Sequence, residues 1–181
     1  MNKNVKSLRT AALVFGPMGA GKSEISKKLI DNTGIFYINP DLFWDRASGM
    51  KFTRDIGDKN FSQAYGQMIY CMQTGKSFLL DSALRGTMAR QEVTSILRTM
   101  DNFVPDYNFH IIGFYVTADL EICLKRNKQR PGGQPDDVIK NYYESFKKEP
   151  PSKSEGFDKL YTIKNNGETV PNIDEYLDLI F

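Results

Sequence analysis

The sequence is poor in residues that bind metals or form covalent staples. Its 181 residues include one histidine and two cysteines, too few for a zinc cluster or a disulfide framework. Cys71 and Cys123 each sit inside an apolar helical pattern and read as small buried hydrophobes. Neither sign of charge is in excess, since 24 Lys and Arg against 22 Asp and Glu leave a formal net charge of +2. That excludes a histone-like polycation while permitting a local basic groove. No apolar run reaches the length of a membrane span. Near the start, Lys3, Lys6 and Arg9 precede the apolar run Ala11–Phe15, which Gly16-Pro17 and Lys22 soon interrupt. This is too short for a secretory leader, so it reads as a basic lead into a first strand, and the cytoplasm is the expected location. Internal repeats and low-complexity tracts are lacking too.

What is present suits one soluble domain over residues 1–181, with 40% hydrophobic and 25% charged residues. Strand and helix patterns alternate. Strands are expected at Ala11–Phe15, Ile35–Ile38, Ser77–Leu80, Phe109–Val116 and Leu160–Ile163. Helices are expected at Lys22–Asp31, Lys59–Thr74, Thr87–Met100, Leu120–Gln129, Asp137–Lys148 and, shorter, near Asp174–Ile180. The strands are continuous apolar runs, as in a parallel sheet covered on both faces. The pattern predicts an α/β, three-layer domain with a parallel sheet. His110 is expected as a satisfied sheet residue, and Met68 and Met72, with Ile69 and Tyr65, as core.

The stretch GPMGAGKS comprises Gly16, Pro17, Met18, Gly19, Ala20, Gly21, Lys22 and Ser23 and satisfies G-x-x-x-x-G-K-[ST]. It lies between a strand and a helix, the context that such a loop requires. Its glycines let successive backbone N–H groups curl toward one anion, and the helix adds its positive end. Lys22 is placed to reach the β- and γ-phosphates, and Ser23 to ligate Mg²⁺. The glycine order is not the dinucleotide fingerprint, which disfavours a nicotinamide or flavin enzyme.

Two acids follow expected strands, where open α/β sheets bind ligands. Asp81 closes the run Ser77–Leu80 in the manner of a carboxylate that holds the Mg²⁺ shell or steadies Lys22. Asp41 follows Ile35–Ile38 and can accept the proton of an attacking hydroxyl, with Asp45 as its rival. Each could instead cap the next turn. Farther on, the basic run Lys125–Arg130 leads into Pro131-Gly132-Gly133, the makings of a lid. Arg126 and Arg130 would then neutralise charge on a transferring group.

With these residues together, the chain resembles the P-loop kinase domain of the polynucleotide kinases, bacteriophage and mammalian-type. The resemblance rests on GPMGAGKS, GIFYINPD with Asp41, FLLDSA with Asp81, LKRNKQR with Arg126 and Arg130, and DDVIKNYYESFKKEP…EGFDKLYTI. It runs from about Leu13 to Ile163 and extends to zeta-toxin-like kinases, which share much of the layout. It implies a P-loop NTPase fold with an arginine-bearing lid, ATP and Mg²⁺ as cofactors, Lys22 and Ser23 on phosphates and metal, and Asp41 as general base. It makes Arg130 a phosphate clamp, with Asp81 on the metal side.

One departure bears on the acceptor. Three residues after the base, where polynucleotide kinases carry an arginine for a strand phosphate, stands Trp44. An aromatic there can stack on a nucleobase, and Arg46 can partly replace the lost charge. Arg46, Lys51, Arg54 and Arg85 are further cations for a strand. The expected acceptor is therefore a nucleic acid, DNA favoured. It is either a 5′-hydroxyl end or the hydroxymethyl group of 5-hydroxymethyluracil, as in phage kinases that resemble this family, whose flipped base needs an aromatic wall. The alternatives are a small-molecule nucleoside or sugar-nucleotide kinase and a non-catalytic ATP-gated binding module.

Overall fold

The computed structural model describes residues 6–43, 53–104, 106–167, 171–178 and 180. Strand β1, Ser7–Phe15, is the centre of a five-stranded sheet. Helix α1, Lys22–Thr33, leads to β2, Phe36–Ile38, and a short 3-10 helix, Pro40–Phe43. Helix α2, Arg54–Gln73, precedes β3, Phe78–Asp81, and α3, Gly86–Asp101. Then come β4, Tyr107–Thr117, α4, Leu120–Gln129, and α5, Asp136–Lys148. A 3-10 turn at Lys153–Glu155, strand β5, Lys159–Lys164, and the short α6, Asp174–Leu177, complete the order.

All strand pairs are parallel, in the order β2-β3-β1-β4-β5. Side-chain alternation sends Ala11, Leu13 and Phe15 to one face of β1 and Ala12 and Val14 to the other. The first face packs on α2 and α3 through Met68, Cys71, Met72, Val93 and Leu97. The second packs on α1 and α4 through Ile25, Leu29 and Cys123, with Ile173 and Ile180 closing it. From β1 the chain moves toward β2, and from β3 it returns across β1 to β4. The crevice at the carboxyl ends of β1 and β3 is thus the topological switch point, where such sheets bind ligands.

Several elements differ from expectation, for tertiary reasons. β1 starts at Ser7, because residues 7–10 pair with Tyr107–His110. Arg9 is therefore a strand residue, bonded to the Gly75 carbonyl at 2.7 Å and lying over the Tyr107 ring. α2 begins at Arg54, since Thr53 Oγ1 accepts from the Ile56 amide at 3.3 Å and starts the helix five residues before the apolar pattern does. Ile69, expected in the core, faces outward at 37% exposure, whereas Met68 and Met72 are fully buried. Both cysteines are free and buried. His110 Nδ1 lies 3.4 Å from Asp158 Oδ2, at the end of the sheet away from the crevice.

Candidate active site

The loop Gly16–Ser23 turns from the buried end of β1 into α1. Gly21 caps α1 with φ 91° and no side-chain hydrogen bond, leaving the first amides of the helix for an anion. Gly19 has φ 81°, and a Cβ there would strike the Cys123 backbone, so only glycine lets α4 approach so closely. The loop is tied to the end of β3 by Gly16 N to Ala83 O, 3.4 Å, and Ser82 N to Val14 O, 3.1 Å. On its other side Asn165, fully buried just past β5, donates to the Ala20 carbonyl at 2.9 Å.

Lys22 Nζ donates to the carbonyls of Gly16 and Pro17, at 3.1 and 3.0 Å, which sets the ammonium over the loop. The side chain keeps some solvent contact, but the surroundings of its ammonium are buried, and burial lowers its pKa. Asp81 and then Asp41 oppose that shift, while Arg130 adds to it. Four charged groups from four separate segments therefore act on one another here.

Asp81 is 3% exposed. Burial pushes its carboxyl pKa up, and Lys22, the Tyr37 hydroxyl, Ser23 and Ser26 favour the ionised form. Tyr37 donates to Asp81 Oδ2 at 3.0 Å, and Asn39 Nδ2 lies 2.8 Å from the Tyr37 hydroxyl and 3.5 Å from the same carboxylate oxygen. Ser26 Oγ makes no well-formed hydrogen bond, so its part is the weaker one. Asp81 thus has a partner network across β2 and β3 and does not cap the next turn. The oxygens of Ser23 and Asp81 form the kind of hard donor set that Mg²⁺ takes, with phosphate and water completing its shell. Among the described residues no group of three His, Cys, Asp or Glu side chains could hold a metal by itself.

Asp41 is exposed in the 3-10 helix after β2, its amide held by Asn39 Oδ1 at 2.8 Å. Asn39 Oδ1 thus caps the turn that carries Asp41. Arg130 ends α4 and opens the loop toward Pro135. That loop is stapled by Asn127, 4% exposed, which donates to Gln134 O at 2.7 Å and accepts from Gln134 N at 3.0 Å. Arg126 points elsewhere, to the carbonyls of Asn165 (2.9 Å), Gly167 (2.8 Å) and Ala20 (3.5 Å). It therefore clamps the segment after β5 against the loop, one step away from Lys22. Arg85 is exposed at the start of α3 and lies over the Tyr142 ring at 4.9 Å. Trp44, Asp45, Arg46 and Lys51 lie outside the described residues, as does the side chain of Arg54.

A groove of about 390 Å³ runs between α2 and α3, and its lining includes Leu84, three residues after Asp81. Phe61, Tyr65, Leu84, Asp58 and Glu92 line it. Tyr65 donates across it to Glu92 Oε1 at 3.0 Å. Tyr37, Asn127 and Asn165 were not singled out from the sequence. Their one available signal was position, each lying on a strand end or beside a loop that the motifs already marked.

Fold and loop together define a P-loop nucleotide-binding domain of kinase-like architecture. The chain belongs to the AAA domain family, which matches residues 12–149. Among solved structures, a candidate kinase from Chloroflexus aurantiacus is similar at TM-score 0.72 and 14% identity, over 97% of this chain and 95% of that one. A sugar kinase from Janibacter sp. is similar at TM-score 0.61 and 13% identity, over 96% and 92%. A fungal RNA kinase is similar at TM-score 0.63 and 12% identity, over 96% of this chain and 45% of that one. No helix of the described residues is long and apolar enough to cross a membrane.

Proposed function

We propose that this chain is an ATP- and Mg²⁺-dependent kinase that transfers the γ-phosphoryl group to a hydroxyl on nucleic acid, DNA favoured. The acceptor is a 5′-hydroxyl end or the hydroxymethyl group of 5-hydroxymethyluracil. One observation carries the reading: at the switch point of the sheet the Lys22 ammonium is set over the loop by the Gly16 and Pro17 carbonyls, with Asp81 buried at the end of the neighbouring strand β3. The loop amides and Lys22 hold the polyphosphate. Asp41, across from Lys22, takes the proton as the acceptor oxygen bonds to the γ-phosphorus and the bond to the β-phosphate oxygen breaks. Ser23 and Asp81 would hold Mg²⁺, which would supply charge neutralisation on the phosphate oxygens. Arg130 balances charge on the migrating group, while Arg126 holds the loop wall. Most of the acceleration is alignment and electrostatics.

A fungal RNA kinase among the neighbours supports a polynucleotide acceptor. The α2–α3 groove favours a second reading, because Asp58 and Glu92 would repel strand phosphates and suit an uncharged polyol. A sugar kinase among the neighbours agrees with that.

Labelled ATP offered to 5′-hydroxyl DNA and RNA, hydroxymethylated duplex DNA, nucleosides and sugar nucleotides separates the readings by where the label lands. Acceptor affinity should fall steeply with salt for a polymer and weakly for a small molecule. ATP binding with no labelled alcohol would leave only the binding module. Asp41→Ala should retain ATP affinity and lose at least ~100-fold in turnover. Normal turnover in that variant with its acceptor removes Asp41 from the base role.

A further inference from the structure

We propose that Arg90 and Glu155 form a positioning pair that sets the Ser82–Arg85 turn, the link from Asp81 to α3 whose Leu84 lines the α2–α3 groove. This rests on the kinase reading above for its functional consequence, though not for its structural one. Arg90 lies in α3 and is, among the described residues, the largest fully buried side chain. Its Nε and Nη2 meet Glu155 Oε2 and Oε1 at 2.6 and 2.8 Å, a two-pronged pair with Glu155 side-chain exposure of 3%. Nη2 also reaches Glu149 O at 2.9 Å and Thr87 Oγ1 at 3.3 Å, which share its second hydrogen, and Nη1 reaches Leu84 O at 3.4 Å. The guanidinium also lies over the Phe146 ring at 5.8 Å. A planar fork can serve all of these acceptors together, and a lysine cannot.

The Leu84 contact gives the cluster its bearing on the site. Leu84 has φ 41°, and among the described residues no other non-glycine has a positive φ. A leucine holds that conformation only when its surroundings over-determine it. Here the carbonyl is held by Arg90 and the side chain is 2% exposed. The same residue lines the α2–α3 groove, and it stands between Asp81 and Arg85 in the chain. Moving Leu84 would move both the groove wall and the start of α3. A buried ion pair is weak evidence for stability alone, because well-packed apolar residues often replace one without loss. Setting a strained turn is a task that apolar packing would not perform.

Two variants test this. Arg90→Lys keeps a cation beside Glu155 and gives up the fork. Leu84→Gly frees the turn and leaves the buried pair intact. With a 5′-hydroxyl oligodeoxynucleotide as probe, each variant should raise acceptor KM by about 10-fold or more, with kcat within about 2-fold and ATP affinity unchanged. Hydrogen exchange without any acceptor should accelerate about 10-fold at residues 83–87 in Arg90→Lys and stay as it was in Gly16–Ser23. A uniform rise in exchange with unchanged KM overturns the proposal, since Arg90 is then a global staple. If Arg90→Lys does not fold, Leu84→Gly decides: unchanged KM overturns it. If wild-type protein phosphorylates no oligonucleotide, the acceptor reading fails separately. Exchange at residues 83–87 then decides this inference, supporting it if accelerated locally and overturning it if unchanged.

Discussion

Replacing Tyr37 with phenylalanine deletes one oxygen and leaves the ring in place, so it isolates what the hydroxyl does for Asp81. In the native protein that hydroxyl donates to Asp81 Oδ2 at 3.0 Å. Burial already raises the Asp81 pKa, and Lys22 and then Tyr37 restrain the rise. A hydrogen bond to a charged group contributes about 1.5–3 kcal/mol. Asn39 Nδ2 loses its 2.8 Å partner in the variant and can close its 3.5 Å gap to the same carboxylate oxygen, which recovers part of that. The net loss that remains pushes the Asp81 pKa further up. The ionised carboxylate is the form that serves Mg²⁺, so the acid limb of Mg²⁺-dependent ATP binding should move to higher pH. Linkage gives a second sign. A carboxyl whose folded pKa exceeds its unfolded one contributes stability that is lost as pH rises through the folded value. Tyr37→Phe should therefore lower Tm most at the pH values where Asp81 is ionised and least where it is protonated. The assay is a fluorescent ATP analogue titrated with Mg²⁺ across pH, beside thermal melts at the same pH values. An acid limb within about 0.2 unit of wild type, with equal Tm loss at every pH, would refute the reasoning.

Asn127→Ala removes both bonds that staple the loop after α4, so residues 130–134 should become the first site of limited proteolysis and, if that loop closes over ATP as proposed for Arg130, kcat should fall about 10-fold with ATP affinity less affected. Equal protease resistance in the two proteins would count against the staple. Asp158 behaves oppositely to Asp81 with pH. Burial would raise its pKa, but the Arg98 guanidinium, the Ile111 amide and His110 outweigh that and hold it below its ordinary 3.8. Its contribution is present above that ordinary value and fades as pH falls through the lower folded one. Asp158→Asn should cost about 1 kcal/mol at pH 7, a modest figure because a third of the carboxylate is exposed and screened, and should flatten the acid loss seen in urea unfolding. Parallel acid curves for variant and wild type would contradict this.

Elements with a strong local pattern were legible in the chain. Leu120–Gln129 is a helix over the residues that its periodicity marks. Gly34 ends α1 in the left-handed conformation, its amide on the Ile30 carbonyl at 2.8 Å. The loop Gly16–Ser23 could be read because its chemistry is contiguous: every residue that curls toward a phosphate is in one short stretch. Boundaries set by pairing with distant segments could not be read, as the early start of β1 against Tyr107 shows. The outward turn of Ile69 was equally hidden, since hydropathy marks a residue as apolar without saying which helix face will be covered.

By itself the sequence determined the class of fold, the phosphate-binding loop and two acids placed at strand ends, because these depend on residue type and spacing along a few neighbours. Tertiary structure alone decided that Tyr37 and Asn39 would hold Asp81, that Arg126 would turn to the segment after β5, and that Arg90 would bury its charge against Glu155. Those contacts join residues that are far apart in the chain. Only the parallel sheet order and the packing of helices on its two faces bring them within a few ångströms, where burial makes each charge demand a partner.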